Sequence, residues 1–177
     1  MRIIALALTL LVLPAATSAA ARSSLPGCEM FLERLKTAAG DLGVESSRAL
    51  IVSQSRSDRV VFDIATKGEV DATLSCQGDE FTRLEARIAE PAGGRAATNF
   101  ERFLSAALRT ALNWDAGKSR GMVRSMDSDV RDYLRASKER GDVYISGKTE
   151  EHVAGGIGLG LIATDADRSF VIVAPGS

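Results

Sequence analysis

The sequence predicts an α+β domain, an antiparallel sheet (a three-stranded meander plus a C-terminal hairpin) packed against an N-terminal helix and a central helix pair. Three observations carry that class. Apolar residues alternate with period two from Arg59 to Ala89, recur at three and four from Phe100 to Leu134, and return to period two after Gly141. Two cysteines, Cys28 in the first helical segment and Cys76 on the apolar face of the meander, are placed to join those two pieces.

The 177-residue chain opens on an export pattern. Met1 and Arg2 form a short positive start, Ile3 to Leu13 is an apolar run broken only by Thr9, Pro14 follows, and Ala15 to Ala21 offers small-residue cleavage sites. The run is shorter than the ~20 apolar residues that span a bilayer. The expectation is a secretory signal peptide over residues 1–21, removed after Ala20 or Ala21, ahead of a single α+β domain over 22–177. No twin arginine precedes the run, so the domain is expected to cross the membrane unfolded by the general secretory route, and the Ala-rich leader points to a bacterial periplasm. A rival reading takes Leu25-Pro26-Gly27-Cys28 as a lipoprotein box, anchoring the domain at Cys28. Arg22, Ser23 and Ser24 separate that box from the apolar run, and a lipid on Cys28 would leave Cys76 unpaired.

The first mature element is a helix from about 26 to 39, opened by Pro26, with Phe31, Leu32 and Leu35 on one face and Gly40 as its stop. Leu42 to Ser57 reads as a loop leading into an edge strand at Ala49 to Val52. Three strands follow, carrying Val60, Phe62 and Ile64, then Val70, Ala72, Leu74 and Cys76, then Leu84, Ala86 and Ile88 on one face, with Lys67-Gly68 and Gly78-Asp79 at the turns. After the break at Pro91 to Gly94, Thr98 and Glu101 form a capping box for a helix with Phe100, Phe103, Leu104, Ala107, Leu108, Ala111 and Leu112 inward. A second helix, Lys118 to Arg140, carries Met122, Val123, Met126, Val130, Tyr133 and Leu134 inward and stops at Gly141. Its other face, with pairs Asp127/Arg131 and Arg135/Glu139, reads as solvated. Strands at Val143 to Ser146, about His152 to Ala163, and Ser169 to Ala174 close the chain, the last two joined by a turn at Thr164 to Asp167. A domain of this size is expected to enclose one core, so these strands should join the meander in one sheet.

In the oxidising compartment that the leader implies, Cys28 and Cys76 should form a disulfide. Two lone cysteines with one distant histidine lack zinc-ligand spacing, and no metal site or cofactor is expected. Loss of Arg2 with the leader takes the basic count from 22 to 21 against 23 acidic residues, a net charge of −2. That balance favours neither nucleic acid nor an anionic membrane, Trp114 and the phenylalanines show no basic interleaving for base stacking, and no membrane span is expected once the signal is removed.

Gly117-Lys118-Ser119-Arg120-Gly121 fits G-x-S-x-G, and the order Ser119, Asp142, His152 matches a serine hydrolase. Such chemistry needs His152 to take the serine proton and a carboxylate to orient the ring. The motif here follows a helix rather than a buried parallel strand, so it reads first as a helix-to-helix turn. Gly117-Lys118-Ser119 lacks the earlier glycine of a phosphate-binding loop, with Leu112 in that place. Gly155-Gly156-Ile157-Gly158-Leu159-Gly160 gives no registration of G-x-G-x-x-G. In a strand it aligns Gly156, Gly158 and Gly160 on one bare face, open either to the close approach of a helix or to a ligand groove. His152, with Glu150, Glu151, Asp165 and Asp167, reads as solvated surface. The expectation is an exported, non-enzymatic binding or accessory protein of the cell envelope, recognising another envelope protein or a small ligand. Its rivals are the small serine hydrolase and an envelope structural module that associates through the edge of the strand Phe170 to Val173.

Overall fold

The computed structural model describes residues 27–44, 46–53 (backbone only), 59–66, 69–142, 146–153 and 155–176. The expected signal peptide, the Lys67-Gly68 turn and Val143 to Ile145 lie outside them. In chain order the elements are α1 (Cys28–Asp41), β1 (Ser46–Ser53), β2 (Arg59–Thr66), β3 (Asp71–Gln77), β4 (Glu80–Ala89), α2 (Gly94–Leu112), α3 (Ala116–Arg140), β5 (Ser146–Val153), β6 (Ile157–Thr164) and β7 (Asp167–Val173). The described strands form one seven-stranded sheet in the order β1-β2-β3-β4-β7-β6-β5, antiparallel at every step. The fold is α+β as the periodicity predicts, and the C-terminal strands extend the meander through the pairing of β4 with β7.

Period two places alternate residues on opposite faces, and the register lines up the apolar set across the sheet. Ile64 faces Ala72, Leu74 faces Leu84, Leu84 faces Ile172, and Leu161 faces Phe170, all buried. All three helices cover that side: α1 packs on α2, α2 on α3, α2 over β4, and α3 over β5 and β6. The strongest helical stripe in the sequence forms the centre of this layer. Phe103, Leu104, Ala107 and Leu108 of α2 are at most 1% exposed, and α3 adds Val123, Met126 and Val130, whereas Tyr133, expected inward, is 50% exposed. Among the described residues no helix is long and apolar enough to cross a membrane.

The start of α1 is tied to the β3–β4 hairpin in three ways. Cys28 and Cys76 form the expected disulfide, with Cα atoms 6.2 Å apart. The Cys28 N–H donates to the Asp79 carbonyl at 2.8 Å. Phe31 stacks on Phe81 with ring centroids 4.5 Å apart, a contact permitted by an irregularity in the β3–β4 register that turns both Phe81 and Leu84 inward. Because the Cys28 sulfur is bonded to Cys76, it is not free to carry a lipid.

Several boundaries differ from the sequence reading. Gly40 does not stop α1, which runs to Asp41 and is followed by Gly43 at φ +74°. Helix α2 begins one turn before the expected capping box: Gly93 is its N-cap, and the Thr98 hydroxyl donates back to the Gly94 carbonyl at 2.7 Å instead of capping. Helix α3 begins at Ala116 because Asp115 caps it, accepting from the Lys118 N–H at 2.8 Å. That bond holds the Asp115 carboxyl below its ordinary value of 3.8, so the cap is complete above that value and is lost only as pH falls through the lower folded one. Gly117 to Gly121 is therefore helix and not the expected turn. The segment read as one strand from His152 to Ala163 is two strands, parted at Gly155 and Gly156, both at positive φ. On the surface of α3, Arg135 pairs with Asp132 rather than Glu139. Strand β7 lies between β4 and β6, so Phe170 to Val173 offers no free edge; the edges of the described sheet are β1 and β5.

Two outcomes are expected. Replacing Cys28 and Cys76 together by serine frees a loop of 48 residues and should lower the unfolding free energy by about 4 kcal/mol, read by urea titration. A methyl group on Gly147 of β5 would stand 2.9 Å from the Val130 carbonyl and 3.2 Å from Leu134. Gly147→Ala should therefore cost about 1–3 kcal/mol in the same titration by pushing α3 off the sheet.

Candidate functional site

With the helices gathered on one side, the other side of the sheet is left uncovered by any described element, and the glycines of β6 open onto it. Ile157, Leu159, Leu161 and Ala163 point into the core, so Gly158 and Gly160 point outward. Two cross-strand rows define the relief. Gly160 stands between Glu150 of β5 and Val171 of β7, and Gly158 between His152 and Val173. A strand without side chains flanked by two strands that carry them makes a trough, and Pro175 and Gly176 bound one end. The cavity measures about 300 Å³. Its floor is uneven: Val171 leans over Gly160, where an added Cβ would meet its Cγ1 at 2.9 Å, whereas a Cβ on Gly158 would lie 3.9 Å from Val173. Of the two outward glycines of β6, Gly158 has the more open space above it. Gly156, expected on the same strand face, belongs to the β5–β6 turn at φ +77° and lies beside Pro175. Helical close approach to glycine does occur, at Gly147 on the inner side, and not at the glycines singled out in the sequence.

The groups suggested for hydrolysis are not brought together. Ser119 sits in the first turns of α3, fully buried, and its hydroxyl has no hydrogen-bond partner among the described residues. His152 is exposed on the opposite face of the sheet. Asp142 follows the far end of α3, a helix of 25 residues that at ~1.5 Å per residue separates it from Ser119 by roughly 30 Å. Bonds from Arg140 and Ser137 hold the Asp142 carboxyl below its ordinary value, and it does not face the imidazole. The acidic groups near His152 also disperse. Glu150 shares its face and pairs with Lys148 at 2.6 Å, while Asp165 and Asp167 lie at the other end of β6, paired with Lys138 and Arg87. No cluster of three potential metal-ligating side chains occurs among the described residues.

Comparison with protein-family models, with curated proteins and with solved structures found no match.

One polar centre was missed in the sequence reading. Arg168 occupies an inward position of β7, opposite Ile88 and Ala163, and its side chain is only 15% exposed. Its guanidinium contacts Glu90 at 2.6 Å and Asp127 of α3 at 2.7 Å. Glu90 also accepts from the Ala92 N–H at 2.7 Å, and Asp127 takes Arg131 on its second oxygen at 2.7 Å. Asp127, read as part of a solvated stripe, thus joins helix to sheet. The available signal was alternation: Arg168 shares the strand face of Phe170 and Ile172, where a charge needs a partner. Arg168→Met should cost about 3 kcal/mol of stability, because the largely buried Glu90 loses its counter-charge and Asp127 keeps only Arg131. Adding Glu90→Gln and Asp127→Asn should restore part of that loss, as measured by thermal melting.

Proposed function

We propose that the protein is exported and acts in the bacterial envelope as a binding or accessory protein, engaging an envelope protein segment or a small ligand in the trough over Gly158. The leader pattern supports export. So does the Cys28–Cys76 disulfide, a bond that persists in oxidising compartments. The observation that carries the binding reading is the trough itself, a glycine floor between the Val171/Val173 and Glu150/His152 walls on the uncovered side of the sheet. Backbone laid bare by glycine lets a partner approach closely, the valines supply apolar contact, and the polar wall sets orientation.

Neither rival gains comparable support. The hydrolase reading requires Ser119 and His152 to meet, and a sheet lies between them. The edge-association reading rested on Phe170 to Val173, which is interior; of the two edges, β5 carries Lys148, Glu150 and Glu151, charges that discourage strand addition.

Two measurements test the proposal. Intact mass of the protein recovered from a periplasmic fraction should correspond to a chain beginning at Ala21 or Arg22; retention of residues 1–21 would remove the export half. A leucine at position 158 fills the trough without opposing backbone. Capture from envelope extract on wild-type bait should therefore enrich a species that Gly158→Leu bait loses, while Thr73→Ala bait, altered on the same sheet face but on β3, away from the trough, retains it. Equal capture by all three would overturn the assignment of the trough.

A further inference from the structure

On the helical side of the molecule, away from the trough, the end of α1, the first half of α2 and the start of α3 enclose a cleft of about 350 Å³. Its wall carries three arginines, Arg102 of α2 with Arg120 and Arg124 of α3, beside Leu42 and Thr98. Two carboxylates border it, and both are already engaged. Glu101 binds Arg124 at 2.8 Å, and Asp41 reaches Arg109 at 3.9 Å. Arg102 and Arg120 have no carboxylate within 4.0 Å among the described residues; Arg120 Nε donates only to the Ala116 carbonyl of its own helix, at 3.3 Å. The Arg102 guanidinium lies over the Gly43 turn, where an added Cβ would stand 3.6 Å from Nη1.

Arg102 and Arg120 are exposed side chains that line one concavity with no carboxylate partner among the described residues, so their like charges repel one another across it in the empty protein. This convergence is the more notable in a chain whose formal net charge is −1. The arrangement becomes favourable when an anion enters, since planar guanidinium groups from two helices offer paired N–H donors to carboxylate or phosphate oxygens. The volume is that of a small-molecule site and is bounded by three elements, which favours a compact ligand over a flat protein partner.

We infer that this cleft binds a small oxyanion carrying at least two negative charges, held by Arg102 and Arg120 and flanked by the Arg124–Glu101 pair. Phosphate and carboxylate ligands share the chemistry, so the test uses both: calorimetric titration of the folded protein with inorganic pyrophosphate and, separately, with citrate, at low ionic strength. Saturable binding of at least one is expected; the tighter of the two identifies the ligand class. Arg102→Ala and Arg120→Ala should each weaken it at least tenfold, while Arg95→Ala, an exposed arginine outside the cleft, leaves it unchanged. Unliganded melting temperatures of the variants confirm that they remain folded. No binding of either anion at millimolar concentration, or affinities insensitive to Arg102 and Arg120, would overturn the inference. Gly158→Leu should not affect the titration, so this result and that for the trough are independent.

Discussion

The structure depends on the pairing of β4 with β7. Seven register pairs, from Arg83 opposite Val173 to Ala89 opposite Asp167, join an N-terminal meander to a C-terminal one, and even the pair nearest in sequence, Ala89 with Asp167, is 78 positions apart. Without that seam each half would expose an apolar face and two open edges. With it, Leu84 and Ile172, Ala86 and Phe170 meet side by side, and a single core forms beneath one helical layer. The charged centre around Arg168 lies at the end of this seam: it ties β7 to Glu90, just past β4, and to Asp127 of α3.

The seam also explains why the molecule has two unlike sides. The connection from β4 to β5 is the α2–α3 pair, and it returns over the same face that α1 occupies. Three helices therefore crowd one side, where their ends leave a cleft lined by arginines, and the other side keeps its strand relief. On that open side a glycine-bearing strand between two side-chain-bearing strands is enough to make a trough. Buried Ser119 and exposed His152 fall on opposite sides of the sheet for the same reason, so a sequence order that suits hydrolysis yields no shared site.

The elements were legible where a short-range periodicity governed them. Alternation in β2, β3 and β4, the stripe of α2, Gly141 as the end of α3 and the Cys28–Cys76 pair all follow from local pattern or compartment logic. Element ends were harder to read, because competing local hydrogen bonds decide them: Thr98 bonds back to Gly94 instead of capping, and Asp115 supplies a cap that the G-x-S-x-G pattern obscured. Gly155 and Gly156 looked like strand residues by spacing alone, although their positive φ makes them a turn. The Arg168 centre was within reach, since its alternation phase is inward, but naming its partners required knowing that α3 crosses above it.

By itself, then, the sequence determined the class of fold, the inward faces, the disulfide partners and a strand of glycines, because each depends on residues close in the chain or on a choice with one solution. Only the tertiary structure decided which edge of each meander meets the other, which side the helices share, and hence whether the glycines look into the core or out to solvent. Those choices rest on contacts between segments far apart in sequence, whose free energy is shared among many side chains and is written in no local pattern.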